Sequence, residues 1–312
     1  MHHASPRPVG AERVCGRSKV FPVGLGGMLL SIEDRPDRAR AVATIHAALD
    51  AGITLVDSAS AYHTGAGEVG HNEILIAEAL DSWQGDAARI TVATKAGRVR
   101  PGDGRWLTDS SADHLLRSAA QSRDRLRRER IELFFLHAPD PRVPLEESLA
   151  ALDRLVREGV AATVGVSNVT VAELDLAHEV LGDALVAVQN EFSPSATQHT
   201  AVLRRAEDLG LAFLAWRPLG TVGRTADDLT AAFAAAGEAH GASPQQAALA
   251  WLLETSPALI PIPGARRPAT IRDSALAAGL RLSPATLRAL DAATSSDRAP
   301  GAETTTAARG GR

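Results

Sequence analysis

The sequence predicts a closed (β/α)8 barrel, one ring of parallel strands each followed by a helix. Three observations carry this. Short apolar runs alternate with amphipathic helical patterns along the chain. The runs are apolar at successive positions, as strands covered on both faces require. The length of 312 residues and eight such runs suit a closed ring better than an open doubly wound sheet. An open sheet of that kind carries a G-x-G-x-x-G loop after its first strand. The only candidate, GLGG at 24–27, lacks that spacing and leads into MLLSIEDRP rather than a helix.

The eight runs are FPVGLGG (21–27), ITLVD (53–57), ITVATK (90–95), IELFFLH (131–137), GVAATVGVSN (159–168), LVAVQN (185–190), LAFLAW (211–216) and ALIPIPG (258–264). Between them, RPDRARAVATIHAALDAG (35–52) sets Ala41, Ile45, Ala48 and Leu49 on one stripe and stops at Gly52. The same rule gives helices over 71–83, 111–126, 145–159, 171–182 and 197–210. Several close on a glycine, where left-handed backbone ends a helix. A short hairpin near 13–22 plugs the barrel bottom. Residues 1–294 form one barrel domain. The small, polar, Gly-rich stretch 295–312 reads as a mobile tail that can fold over the mouth of the barrel.

Composition excludes several functions. A net charge of −4 leaves no basic footprint for nucleic acid. The densest basic run, DRLRRER (124–130), carries Asp124 and Glu129 and reads as a solvated helix face. One cysteine, Cys15, makes no internal disulfide, and no Cys/His cluster has zinc spacing, so no metal is expected. No apolar stretch approaches membrane-spanning length, and the N-terminus lacks an apolar secretory core. A soluble, cytoplasmic protein is expected, monomeric or a small homo-oligomer. With aromatics at 4%, the core is mostly Leu, Val, Ala and Ile.

Against that background a few residues stand out. Tyrosine occurs once, at Tyr62, and lysine only at Lys19 and Lys95; the other 31 of the 33 basic residues are arginine. Lys95 closes the run ITVATK, Asp57 closes ITLVD and His137 closes IELFFLH; Tyr62 follows Asp57 by five residues. In a barrel, side chains at the C-terminal strand ends share one pocket. A phenol has an ordinary pKa of about 10, and a nearby ammonium lowers it. Lys95 is expected to do this for Tyr62. Asp57 holds Lys95 charged, and His137 donates a hydrogen bond to a carbonyl oxygen. The set is suited to protonating an oxygen as charge develops on it. Singly, each residue has a plainer reading. Asp57 can cap a turn, His137 can be a satisfied core histidine, Lys95 can snorkel to solvent and Tyr62 can line a rim. Together, at these strand ends, they point to proton transfer.

At these residues the chain resembles the aldo-keto reductases, from about Phe21 to Leu290. GLGGM, DSASAY, the NE of HNEILIAEAL, ATK, LH, VGVSN, VQNEFS, AWRPLG and PIPGARRP occur in the family's order. The resemblance implies the barrel, NADPH as cofactor and reduction of a small-molecule carbonyl. Tyr62 is then the general acid, assisted by Lys95, Asp57 and His137. Ser167, Asn168 and Gln189 match residues that bond the nicotinamide carboxamide, and Trp216 matches the aromatic that stacks on the ring. The segment continues through Arg217, Pro218 and Leu219. Gly264, Arg266 and Arg267 fall in the segment that grips the adenosine phosphate, where a guanidinium suits phosphate oxygens.

The chain also departs from the family. Positions that often read Arg, then Glu-Asn, read Thr270, Asp273 and Ser274 here; Asp273 is carried as a cofactor contact, and NADPH is preferred over NADH. Arg217 stands where serine is frequent and reaches either the pyrophosphate or the barrel rim. His63 stands where glycine is common. Met28, Leu29, Trp106 and residues 220–224 are rim candidates, and the scarcity of loop aromatics argues against a site built for a flat polycycle. Two other readings share the fold. One is a non-catalytic nucleotide sensor. The other is a Schiff-base aldolase with Lys95 as nucleophile, which the charge of Asp57 opposes.

Overall fold

The computed structural model describes residues 11–296. The chain opens with an antiparallel hairpin of β1 (Arg13–Cys15) and β2 (Ser18–Val20). It then runs β3 (Leu25–Gly26), α1 (Arg38–Asp50), β4 (Leu55–Asp57), α2 (His71–Ser82) and β5 (Thr91–Ala96). An additional antiparallel ribbon follows, β6 (Arg98–Val99) and β7 (Leu107–Thr108). Next come α3 (Ala112–Arg125), β8 (Ile131–Leu136), α4 (Leu145–Arg157), β9 (Ala161–Ser167), α5 (Val171–Leu181), β10 (Leu185–Glu191), α6 (Thr200–Asp208) and β11 (Ala212–Trp216). The described chain ends with α7 (Asp228–Ala239), α8 (Pro244–Thr255), β12 (Leu259–Pro261), α9 (Pro268–Leu276) and α10 (Pro284–Ser296).

Eight strands form one parallel sheet in the order β3-β4-β5-β8-β9-β10-β11-β12. The ring closes between its first and last strands. Gly24 and Gly26 donate backbone hydrogen bonds to Pro261 and Pro263 at 2.9 and 3.0 Å, and Gly26 bridges Gly264. Gly26 is required there, because a Cβ would lie 2.7 Å from the Ile262 carbonyl oxygen. The fold is the (β/α)8 barrel that the sequence predicts.

Two layers of apolar side chains hold it. Inside the ring, Leu55, Ala93, Leu133, Phe135, Leu214 and Ile260 pack together, and Cys15 and Val20 of the hairpin close the bottom. Arg13 anchors this plug by donating to the Leu253 and Pro257 carbonyls at 2.6 and 2.8 Å. Burial pushes the Cys15 thiol up to about 12, so it is inert as a nucleophile. Outside the ring, the expected α1 stripe of Ala41, Ile45, Ala48 and Leu49 is buried. Each buried Leu or Ile contributes about 1.5–3 kcal/mol. Side-chain caps fix helix starts at Asp37, Thr170 and Ser243.

The structure trims several sequence expectations. Of FPVGLGG only Leu25–Gly26 is strand; Pro22 has no N–H to offer the ladder, and the Phe21 N–H goes to Thr54 Oγ1. Of ALIPIPG only Leu259–Pro261 is strand, for the same reason at Pro263. Helix α10 runs through Ser296, two residues into the stretch expected to be tail; the remainder, 297–312, lies outside the described residues. Among the described residues, no helix is long and apolar enough to cross a membrane.

Candidate active site

The C-terminal ends of β4, β5 and β8 bring three chemistries together. Parallel register places Asp57 beside Ala93, two residues before Lys95, and sets Ala96 beside Leu136, the residue before His137. The loop after β4 then returns Tyr62 to the same place. Lys95 is fully buried and its ammonium is fully engaged. Lys95 Nζ donates to Asp57 Oδ2 at 2.7 Å, to the Ser58 carbonyl at 2.6 Å and to Tyr62 Oη at 3.2 Å. The Tyr62 and His137 rings meet edge to face, centroids 5.9 Å apart. Trp106, from the ribbon, lies edge-on to both, at 6.5 and 6.4 Å. Among the rim candidates, Trp106 therefore meets both reactive rings.

The motif NE, at Asn72–Glu73, supports this arrangement from behind. Asn72 accepts from Ser58 Oγ at 2.8 Å and donates to the Gly27 carbonyl at 2.9 Å. Glu73 accepts from Thr94 Oγ1 at 2.6 Å and Arg125 at 3.2 Å. These bonds pin the strand ends that carry Asp57 and Lys95.

Electrostatics modify one expectation. Burial pushes the Tyr62 phenol above its ordinary value. Lys95 pulls it down, as expected, but burial is the larger effect and the charge of Asp57 adds to it. The phenol therefore holds its proton rather than releasing it early. Burial acts against the Lys95 ammonium too, yet the charges and hydrogen bonds of Asp57 and Tyr62 prevail and its pKa rises. A lysine held protonated is a poor amine nucleophile. Burial, then Lys95 and Arg98, hold His137 well below the ordinary imidazole range, so it is neutral.

Next to this cluster lies a polar set at the ends of β9 and β10. Gln189 Nε2 donates to Asp57 Oδ1 at 2.9 Å, so one amide is bonded to the Asp57–Lys95 pair. Ser167 Oγ donates to the Gln189 carbonyl at 2.6 Å. Asn168, at φ +60°, donates to the His137 carbonyl at 2.9 Å. Trp216 ends β11, half-buried, with a buried Nε1 that has no partner among the described residues.

The remaining predicted contacts are looser. Arg217, at φ +48°, pairs with Glu191 at 3.1 Å, while Pro218 is buried and Leu219 half-buried. Gly264 sits at the ring closure. Arg266 donates to the Glu33 carbonyl at 3.0 Å and keeps a buried Nε without a partner among the described residues. Arg267 is exposed at the start of α9. Both oxygens of Asp273 are taken, by Ser243 at 2.8 Å and Gln246 at 2.6 Å, in the contact between α8 and α9. Among the described residues, no group of His, Cys, Asp or Glu is arranged to hold a metal ion.

Residues 22–295 match the model of the aldo/keto reductase family. This chain belongs to that family. A 6-dehydroglucose reductase of Novosphingobium aromaticivorans is 34% identical over 272 residues, spanning 84% of this chain and 88% of that protein. The glycerol dehydrogenase of Gluconobacter oxydans superposes with a TM-score of 0.82 at 26% identity, covering 96% of this chain and 99% of that one. An aldo/keto reductase of Klebsiella pneumoniae, solved with NADP and acetate, has a TM-score of 0.76 at 24% identity, covering 91% and 94%. This aldo/keto reductase is thus an oxidoreductase of a family that uses nicotinamide cofactors.

The sequence reading missed three parts of the site. The Ser58 carbonyl that holds Lys95 has no side-chain signature. The bond from Gln189 to Asp57 joins residues far apart in the chain. The ribbon that carries Trp106 had a signal in RPGDGRW, a turn sequence between short extended pieces.

Proposed function

We propose that this protein reduces an aldehyde or ketone to an alcohol with NADPH, and that Tyr62 is the proton donor. The observation that carries this is the buried Lys95 ammonium, bonded to both the Tyr62 hydroxyl and the Asp57 carboxylate. The cofactor fits what the residues offer. Ser167, Asn168 and Gln189 supply amide and hydroxyl groups for a carboxamide, Trp216 an aromatic face, and Arg266 and Arg267 guanidinium groups for a phosphate. Buried atoms on His137, Trp216 and Arg266 that have no partner among the described residues are where a bound molecule would satisfy the protein. NADP in the Klebsiella structure points to the same nucleotide.

When bound, the reduced nicotinamide supplies a hydride to the carbonyl carbon. The protein handles the oxygen. Neutral His137 donates its N–H to the carbonyl oxygen and fixes the oxygen against the phenol. As the C=O bond opens, negative charge grows on that oxygen, which becomes a stronger base than a phenolate. The proton then passes from Tyr62 Oη to the oxygen, giving the alcohol. The phenolate left behind is stabilised by Lys95, whose charge Asp57 retains, and solvent returns the proton. Burial keeps Tyr62 protonated until the oxygen calls for it.

The test is NADPH consumption, with NADH in parallel, against a panel of aldehydes and ketones. Turnover with several carbonyls and a lower KM for NADPH is expected. Tight NADPH binding with no turnover across the panel would overturn the enzyme reading and leave a nucleotide-binding module.

A further inference from the structure

The ribbon of β6 and β7 presents one face to the reactive rings. Its register pairs Arg98 with Thr108 and Val99 with Leu107. One step further sets Arg100 against Trp106, and the Arg100 guanidinium indeed lies 4.8 Å from that ring. Side chains alternate faces along a strand. Arg98, Arg100 and Trp106 therefore share the face that meets Tyr62 and His137 through Trp106.

The two arginines differ in how they are satisfied. Arg100 is buried, ion-paired to Glu33 and bonded to the His63 carbonyl. Arg98 is half-buried and, among the described residues, has no ion pair or side-chain hydrogen bond. Among the described residues, the other arginines without such a partner all lie on the open surface. Asp103 and Asp140, on the ribbon loop and after β8, are ion-paired to Arg105 and Arg142, and Asp109 accepts from Ser111 Oγ at 2.6 Å. The charge of Arg98 reaches His137, the third cause of its depressed pKa after burial and Lys95. A half-buried guanidinium on the face that meets Tyr62 and His137, with no ion pair among the described residues, suits an anion.

We propose that Arg98 is a specificity-determining residue, and that the substrates are carbonyl compounds bearing a carboxylate. The guanidinium pairs with the carboxylate while Tyr62 and His137 take the carbonyl oxygen, with Trp106 packing against the carbon skeleton between them. This rests on the reductase reading given above.

The experiment compares 3- and 4-carboxybenzaldehyde with their methyl esters, NADPH in excess, in wild type, Arg98→Gln and Arg98→Lys. The ratio of kcat/KM for acid over ester is read within each protein. Wild type is expected to favour an acid by about tenfold, the scale of one charge-assisted contact at a partly open site. The preference is expected to vanish in Arg98→Gln, to persist in Arg98→Lys and to shrink as salt rises. Equal ratios in wild type and Arg98→Gln would overturn the proposal. In parallel, calorimetry measures binding of 4-(hydroxymethyl)benzoate, which contains no aldehyde or ketone. If no aldehyde is turned over, but wild type binds this carboxylate more tightly than Arg98→Gln, the reductase reading fails and the anion contact stands. If neither turnover nor binding distinguishes the two proteins, the anion contact fails.

Discussion

The two ends of the candidate site are built differently. Around Lys95, the ammonium, both Asp57 oxygens and the Gln189 amide nitrogen are bonded to one another in the buried interior. Around Arg266 and Arg267, the guanidinium groups are half-buried or exposed and only partly satisfied. A buried, fully bonded network is costly to disturb and holds one geometry. An exposed cationic edge contributes attraction without fixing atoms. The difference teaches that the first end should govern turnover and folding together, while the second should govern affinity for the nucleotide alone.

Four measurements break or sharpen that contrast. Tyr62→Phe should leave NADPH binding intact and lower kcat by about 10²–10⁴-fold, the range for a positioned proton donor. Turnover at the wild-type rate would refute the assignment. Asp57→Asn should destabilise the fold by about 3–5 kcal/mol, because it strands a buried ammonium, and it should lower kcat as well. A melting temperature equal to wild type would show that the pair is not the linchpin of this end. Arg266→Gln should raise the KM for NADPH about tenfold, with kcat nearly unchanged. A large loss of kcat would erase the distinction between the ends.

The smallest effect concerns pH. Burial holds His63, His71, His114, His137 and His199 below their ordinary values. Between those values and about 6.5, the unfolded chain binds more protons than the folded one. Stability is therefore full above about pH 6.5 and declines as pH falls below it. Thermal melts across pH 5–8 should show this slope, and His137→Asn should flatten part of it.

Much of this was legible in the sequence. Apolar runs located the eight strands, since a covered parallel strand is apolar on both faces. Stripes located α1 to α6. Helix α8 was not legible: it buries Ala247 to Leu252 without a break, so no stripe marks its period. The clustering of the four candidate residues was readable because each ends a strand or follows one. The rise of the Tyr62 pKa was not, because desolvation depends on how completely the loop closes over the ring. The pairing of Asp273 with Ser243 and Gln246 was hidden for a related reason, since a residue type does not reveal its neighbours in space.

The seam of the ring has a consequence of its own. Pro261 and Pro263 have no amide hydrogens, so β12 returns nothing to β3 at those positions, and the Gly24 and Gly26 amides carry the hydrogen bonds there. Such a junction is the cheapest place for the wall to part. Deuterium should enter at Gly24 and Gly26 before it enters the ladder between β8 and β9. The segment proposed to grip the phosphate begins at that junction, so nucleotide should slow the uptake there more than anywhere else in the wall.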